Sequence, residues 1–349
     1  MQGISKATGI DMYLLVCFNV ILDLLMGCSS GGAAVRDESG TGTKMVHFRT
    51  LDWGMDPLRR VLVRLDYVLE PQGEIVASSI SYAGFVGVLT GVRKGLSISL
   101  NFRGVHNGSG ELVANAKYYG YVGMVFLGLR PSISSTLRRY LISGVDAESG
   151  QRDIASLPDF KTVVEEMSCK TRPLKSTACY LCFSSGRETA VIEKDLNTAK
   201  LSSSTSFIVK TNADTDAGED GTEAGEESDE TDDDDDDDDT QAHLEAKPVA
   251  HEAASPATAL EELLQDANER KACAERNYRK LVRRSKLSQV GGDREENAES
   301  SITLPAVDDI VDMVQKYPTS NECTHYAAVM DPTAGKFAWC RFWRRPIEC

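Results

Sequence analysis

The residues best suited to chemistry lie at the end of the first apolar stretch of the chain. Cys28 follows Gly27 directly and is itself followed by small residues. Further along, an alternating apolar run carries Arg49 and Asp52 near its end. A thiolate is a strong nucleophile, and its fraction rises beside a cationic group such as an arginine. The pattern predicts a cysteine at the start of a strand, with Arg49 and Asp52 on a neighbouring strand.

Several ordered motifs resemble the family of acid ceramidases and N-acylethanolamine acid amidases, which are N-terminal-nucleophile hydrolases. They are Cys28-Ser29-Ser30, Arg49-Thr50-Leu51-Asp52-Trp53-Gly54, the stretch 81–91 followed by Leu100-Asn101, Lys210-Thr211-Asn212-Ala213-Asp214, and Asp331-Pro332-Thr333-Ala334-Gly335-Lys336-Phe337. Residues 104–205 match only loosely. The chain also departs from the family at Phe102, where a glutamate is usual, and at Ala213, where a tyrosine is usual.

The resemblance implies an α+β fold, the four-layer αββα sandwich of N-terminal-nucleophile hydrolases. It implies that the precursor cuts itself between Gly27 and Cys28 and then hydrolyses the N-acyl amide bond of a lipid, ceramide first and N-acylethanolamine second. No cofactor and no metal are implied. The family resemblance also suggests a lysosomal, vacuolar or secretory location.

The resemblance implies roles for five residues. Cys28 is the nucleophile, and after cleavage its free α-amine, with an ordinary pKa of about 7.7 to 8, acts as the base. Asp52 accepts a hydrogen bond from that amine, and Arg49 keeps Asp52 ionised and shapes the site of the substrate carbonyl. Asn212 donates its side-chain amide to the oxyanion. Arg270 resembles one member of a basic pair that follows the asparagine in the family, although a long insertion separates Arg270 from Asn212.

Charge is concentrated in one segment of the 349-residue chain. The net charge is −15, but residues 211–240 hold 17 of the 53 acidic groups and no lysine or arginine. The rest of the chain is therefore close to neutral. Specific nucleic-acid binding needs a clustered basic face, so we expect no nucleic-acid partner.

Composition divides the chain into three parts. Residues 1–27 are interpreted as an apolar helix, the remnant of a light chain or propeptide. Residues 28–212 and 257–349 form the predicted hydrolase domain, and residues 213–256 form an acidic insertion that is expected to be disordered. Asp11 and Asp23 interrupt the apolar residues of the first part, which therefore suit a packed helix better than a membrane span or a signal peptide.

Hydrophobic periodicity predicts alternating strands and helices in the hydrolase domain. An antiparallel meander is predicted with strands at 44–52, 60–70, 74–80, 85–89 and 96–101. Residues 117–143 and 155–168 are predicted to be mainly helical. Strands follow at 178–183, 189–193 and 206–210, then helices at 259–284 and 306–317, then closing strands at 325–331 and 336–342.

The remaining cysteines and histidines give weaker signals. Cys179 and Cys182 form a CxxC, but no second pair or suitably spaced histidine accompanies it, so we interpret them as two strand thiols rather than a zinc site. A cysteine–histidine pair through His47 or His325 remains an alternative that no spacing supports. An N-terminal cysteine needs no histidine base.

The leading interpretation is a cysteine amidohydrolase acting on lipid amides, with transient contact to a membrane surface and cleaved subunits that remain associated. One alternative is a cysteine amidase for other amides. Another is a catalytically inactive relative that acts as an interaction protein, in which case its acidic segment binds basic partners. The apolar stretches 85–89 and 118–129 are candidates for lining an acyl pocket or for ordinary core.

Overall fold

The computed structural model describes residues 1–21, 27–142, 157–169, 171, 173–214, 256–290 and 304–348. The helices are α1 (Gln2–Thr8), α2 (Met12–Ile21), α3 (Leu112–Phe126), α4 (Ile133–Ile142), α5 (Phe160–Ser168), α6 (Pro256–Val290) and α7 (Val307–Gln315). Most of the acidic insertion, residues 22–26 of the predicted 1–27 helix and residues 155–156 of the predicted 155–168 helix lie outside the described residues.

The described strands form two antiparallel sheets. The first sheet has the order β10-β1-β2-β11-β12, with β10 (Phe207–Lys210), β1 (Gly27–Arg36), β2 (Thr43–Asp52), β11 (Thr324–Asp331) and β12 (Lys336–Phe342). The second sheet runs in sequence order through β3 (Leu62–Val68), β4 (Ile75–Tyr82), β5 (Thr90–Arg93), β6 (Leu96–Phe102), β7 (Ser176–Ser184), β8 (Thr189–Leu196) and β9 (Thr198–Ser204).

The two sheets pack between two helical layers. On the outer face of the first sheet, Ala274 and Tyr278 of α6 and Ile310 of α7 share one core cluster with Phe48 and Val329. A second cluster joins apolar residues of both sheets with α4 and α5. The order helix, sheet, sheet, helix is that of a four-layer αββα arrangement, and the predicted α+β class is confirmed.

Most predicted elements occur near their expected positions, but three expectations were wrong. Residues 85–89 are not a strand; they lead into β5, and they are apolar because Phe85, Val88 and Leu89 are buried in the core. The predicted meander is split, since β1 and β2 lie in the first sheet while β3 to β6 lie in the second. Strand β9 was missed because its sequence has little apolar alternation and it forms an edge of its sheet.

Small residues let β1 lie close to its neighbours. A Cβ atom added to Gly32 would stand 2.0 Å from Thr189 Oγ1 of the second sheet and 2.8 Å from Met45 Cε. At Gly31 the added atom would stand 2.1 Å from the Ile208 carbonyl oxygen. The glycines that follow the nucleophile candidate are thus required by the close approach of neighbouring strands.

Gly32→Ala should destabilise the chain by about 1 to 3 kcal/mol, because the methyl group must displace the buried Thr189 side chain. Gly120→Ala in α3 is a matched control, since an added Cβ there meets nothing within 4 Å, and alanine is the better helix former. Urea unfolding of the two variants checks this. An equal midpoint for Gly32→Ala and the parent would contradict the close approach of the sheets.

Candidate active site

The pairing of β1 with β2 brings the sequence-predicted residues together. In the antiparallel register Cys28 lies opposite Leu51, Gly27 opposite Asp52, and Ser30 opposite Arg49. The prediction of a cysteine at a strand start, with an arginine and an aspartate on the neighbouring strand, is confirmed. The main-chain bond between Gly27 and Cys28 lies within β1.

Strand alternation sends these side chains to opposite faces of the first sheet. Cys28 belongs to the core cluster between the sheets and has no exposed surface. Arg49 points to the same side, where its Nη2 donates to the Leu100 carbonyl (2.7 Å) and its Nη1 donates to Ser30 Oγ (2.9 Å) and to the Asn101 side-chain oxygen. Arg49 therefore ties the end of the first sheet to β6 of the second.

Asp52 points to the opposite face and meets α6. Arg270 Nη1 lies 3.1 Å from Asp52 Oδ2, and Thr324 Oγ1 donates to Asp52 Oδ1 at 2.6 Å. Arg49 faces the other side of the strand, because residues three apart on a strand face opposite ways, and its charge lowers the pKa of Asp52 less than that of Arg270 does. The role of Arg49 in keeping Asp52 ionised stays a prediction. Arg270 makes the ion pair, although the sequence connects it to this site least clearly.

Arg270 bridges several elements while almost fully buried, with 1% of its surface exposed. Its Nη1 also donates to Ser29 Oγ (3.0 Å), its Nη2 to Asn212 Oδ1 (3.3 Å), and its Nε to Asp266 Oδ2 (3.0 Å). The guanidinium thus joins β1, β2 and the segment after β10 to α6.

Asn212 reaches Cys28 through its oxygen. The Cys28 backbone N–H donates to Asn212 Oδ1 at 2.7 Å, while Asn212 Nδ2 donates to the Phe102 carbonyl at 2.7 Å. In this arrangement Asn212, rather than Asp52, holds the nitrogen of Cys28. The role of Asn212 as an oxyanion donor stays a prediction, and it concerns the state after cleavage.

Burial dominates the electrostatics of the site. It raises the pKa of the Cys28 thiol, although the charges of Arg49 and Arg270 act in the opposite direction. Burial also raises the pKa of Asp52 to about 6, against the ion pair with Arg270 and the hydrogen bond from Thr324. The Cys28 thiol is therefore neutral and buried.

The two candidate histidines are engaged elsewhere. His47 lies between the hydroxyls of Ser97 (2.9 Å) and Ser99 (2.8 Å), and burial lowers its pKa to about 3. His325 Nδ1 is 2.8 Å from the Tyr82 hydroxyl, and burial lowers its pKa to about 4. In the part of the chain that the structure describes, neither imidazole is hydrogen-bonded to Cys28.

Cys179 and Cys182 are buried thiols on β7, as the strand-thiol interpretation predicted. Across the described ranges, His, Cys, Asp and Glu side chains form no group that could hold a metal ion. The same ranges contain no helix with the length and hydrophobicity needed to cross a membrane.

Three contributors to the site were missed from the sequence. Ser29 and Asp266 bond to Arg270, and Thr324 bonds to Asp52. Asp266 lies four residues before Arg270 on a predicted helix, a spacing at which side chains meet, so it could have been found. Nothing in the sequence indicates that Thr324 reaches Asp52.

Comparison with known proteins supports the resemblance drawn from the motifs. The chain is 32% identical to acid ceramidase of Rattus norvegicus over 123 residues, which are 31% of this chain and 29% of that protein. Identity to acid ceramidase of Homo sapiens is 30% over a match of the same length and coverage. The chain thus spans less than a third of the length of these curated relatives. No family model matches the chain.

The fold is similar to that of the Caenorhabditis elegans N-acylethanolamine-hydrolyzing acid amidase ortholog, with a TM-score of 0.52 and 19% identity. The match covers 90% of this chain and all of that chain. The resemblance to the acid ceramidase and N-acylethanolamine acid amidase family is confirmed. So is the αββα sandwich of the N-terminal-nucleophile hydrolase type.

The raised pKa of Asp52 makes a prediction for stability. A carboxyl whose pKa rises from 3.8 to about 6 on folding adds up to about 3 kcal/mol of stability below its unfolded pKa, and this is lost as pH rises through 6. Asp52→Asn should abolish that component. We expect urea unfolding between pH 4 and 7, in the Cys28→Ala background, to show a flatter pH dependence with Asp52→Asn. An unchanged pH dependence would contradict the burial of an ionisable Asp52.

Proposed function

We propose that this protein is an amidohydrolase that cleaves the N-acyl amide bond of ceramide-like lipids. In this proposal Cys28 is the nucleophile, and it becomes competent after the chain cleaves itself between Gly27 and Cys28. The observation that carries the proposal is the hydrogen bond from the Cys28 backbone nitrogen to Asn212 Oδ1. Before any cleavage, this hydrogen bond holds the Cys28 nitrogen, which cleavage would convert into a free α-amine.

Self-cleavage begins with addition of the Cys28 sulfur to the Gly27 carbonyl carbon. The peptide C–N bond breaks, the acyl group passes to sulfur, and the nitrogen takes up a proton to become the α-amine. Water then hydrolyses the thioester, which releases the Gly27 carboxylate and restores the thiol. The position of Asp52 directly opposite Gly27 supports this step, because it brings a carboxyl with a pKa of about 6 to the scissile bond.

Lipid hydrolysis repeats the same chemistry on a bound substrate. The α-amine of Cys28 accepts the thiol proton, and sulfur attacks the amide carbonyl. Collapse of the tetrahedral intermediate breaks the C–N bond, and the departing amine takes the proton. Water hydrolyses the remaining thioester to a fatty acid and free Cys28. Water has to reach the sulfur for that last step, as it does for hydrolysis of the thioester that forms in self-cleavage.

The surrounding residues are proposed to act as follows. Arg49 lies on the thiol side of the sheet and favours the thiolate. Arg270 holds Asp52 and Asn212 on the other side, and Asp52 helps to orient the new amine. Asn212 either holds the amine through its oxygen or, if its amide turns after cleavage, donates to the oxyanion. Neither role of Asn212 requires a cofactor.

The substrate class rests on the relatives and on apolar surroundings. The curated relatives are named acid ceramidases, and the structural neighbour is named for hydrolysis of N-acylethanolamines. Phe85, Val88 and Leu89 share the core cluster of Cys28, which supports an apolar environment for an acyl chain. Leu112 is the first residue of α3 and is 85% exposed, and Leu127, which follows the last residue of α3, is 75% exposed. These side chains support transient contact with a membrane surface.

The segment before the cleavage point is proposed to stay bound afterwards. Asn19 of α2 donates to the Gly84 carbonyl (3.0 Å) and accepts from the Val86 N–H (2.7 Å). Val20 packs with Tyr121 of α3. Cutting at Gly27 leaves all these contacts intact, which supports association of the two fragments.

Intact mass and N-terminal sequencing at mildly acidic pH, beside Cys28→Ala, test this proposal. We expect two co-purifying fragments, the larger beginning at Cys28, and an uncut Cys28→Ala chain. The cleaved protein should then release fatty acid from ceramide or from an N-acylethanolamine. A chain that stays whole in every condition would overturn the mechanism and favour an inactive relative. Cleavage without lipid hydrolysis would favour another amide as substrate.

A further inference from the structure

Consecutive residues at the end of β6 hold the segment that carries Asn212. The Phe102 carbonyl accepts from Asn212 Nδ2 at 2.7 Å. Next to it, Arg103 Nε donates to Asp214 Oδ1 at 2.7 Å, and Arg103 Nη2 donates to Asp214 Oδ2 at 2.6 Å. Because β6 belongs to the second sheet and Asn212 follows β10 of the first, these contacts tie the two sheets together beside the nucleophile.

Tyr180 of β7 is the third member of this arrangement. Its hydroxyl donates to Asp214 Oδ1 at 2.8 Å and lies 3.4 Å from the Asn212 carbonyl oxygen. The ring stands beneath two cations, with Lys210 Nζ 4.5 Å and the Arg103 guanidinium carbon 6.0 Å from its centroid. Tyr180 is therefore held by contacts to its ring and to its hydroxyl, and that hydroxyl lies within reach of both Asn212 and Asp214.

The arrangement is charged and largely shielded from water. Arg103 is 8% exposed and Tyr180 is 1% exposed, whereas Asp214 is 40% exposed at the edge. A bidentate arginine–carboxylate pair fixes the relative orientation of the two side chains as well as the distance between them. Burial alone raises the pKa of Asp214, but the hydrogen bonds from Arg103 and Tyr180 outweigh it and hold that pKa below its usual value.

The lowered pKa of Asp214 keeps its ion pair with Arg103 intact at mildly acidic pH. A carboxylate with a lowered folded pKa stabilises the fold above its unfolded pKa, and the contribution is lost only as pH falls through the lower folded value. The ion pair therefore stays formed at a mildly acidic pH at which Asp52 is becoming protonated.

We infer that Arg103, Tyr180 and Asp214 form a clamp that positions the Asn212 side chain against the nitrogen of Cys28. The clamp residues contact Asn212 and its neighbours rather than Cys28, so they are positioning residues. The catalytic part of this inference rests on the proposed function. The geometric part does not, because the Cys28 N–H to Asn212 bond exists in the uncleaved chain.

The geometric part is tested by hydrogen–deuterium exchange, resolved to single residues by fragmentation, in the uncleavable Cys28→Ala background. Asp214→Asn removes the charge of the clamp and keeps its shape. We expect exchange of the residue 28 amide to quicken about tenfold or more, as loss of a charged hydrogen bond implies. Amides of the central strand β7 should keep their protection.

Asp66→Asn is the matched control, since it removes the Arg64 ion pair (3.0 Å) on β3 by the same substitution. It should leave exchange at residue 28 unchanged. If Asp214→Asn lowers protection throughout the chain, Tyr180→Phe replaces it, because it deletes one hydroxyl and keeps the ring. The clamp would be overturned if the residue 28 amide exchanged no faster than in the Asp66→Asn control, measured in whichever of Asp214→Asn and Tyr180→Phe stays folded.

The catalytic part is tested in the cleaved protein without the Cys28→Ala change. Asp214→Asn should lower kcat about tenfold or more and leave KM nearly unchanged, whereas Asp66→Asn should alter neither. Faster exchange with an unchanged kcat would overturn the positioning role. If the unsubstituted chain neither cleaves itself nor hydrolyses lipid amides, the proposed function fails, and the exchange result still decides whether the clamp exists.

Discussion

Antiparallel pairing of β1 with β2 is the constraint on which the rest of the site depends. The register sets Gly27 opposite Asp52 and Ser30 opposite Arg49, and strand alternation then decides what each side chain can reach. The thiol and Arg49 enter the space between the sheets, whereas Asp52 meets α6. Any slip by one residue would exchange these faces and would place the thiol against the helices.

Two arginines supply positive charge from opposite sides of this strand pair. Arg49 lies on β2 itself, whereas Arg270 lies on α6, the helix that follows the acidic insertion. Both are buried, and each has hydrogen-bond acceptors that offset the cost of removing a charge from water. Burial nevertheless keeps the Cys28 thiol protonated, so the arginines alone do not activate it. The proposed role of Cys28 as nucleophile therefore requires a base, and the proposed α-amine supplies it.

The sequence contained much of this arrangement, since period-two alternation was enough to place Cys28, Arg49 and Asp52 on adjacent strands. The same alternation also shows that Arg49 and Asp52 face opposite ways. Contacts across long sequence separations were harder to predict. The bond from Asp52 to Arg270 depends on packing of α6, which no local pattern specifies.

Local patterns failed in two further ways. The apolar run 85–89 has the composition of a strand, but its residues are buried without strand pairing. The direction of the Asn212 amide depends on the Phe102 carbonyl, a backbone group whose position no side-chain pattern encodes. Residues near Cys28 were thus easier to identify than the orientation of the groups around them.

The proposed function requires the acyl group of a lipid amide to pass through the sulfur of Cys28. This requirement is tested by acid quenching during a single turnover of ceramide, followed by digestion and mass spectrometry. Cleavage after Arg36 releases the peptide 28–36, and this peptide should carry the mass of the acyl group in the self-cleaved protein. Release of fatty acid while that peptide stays unmodified, or an acyl group on another residue, would contradict the account.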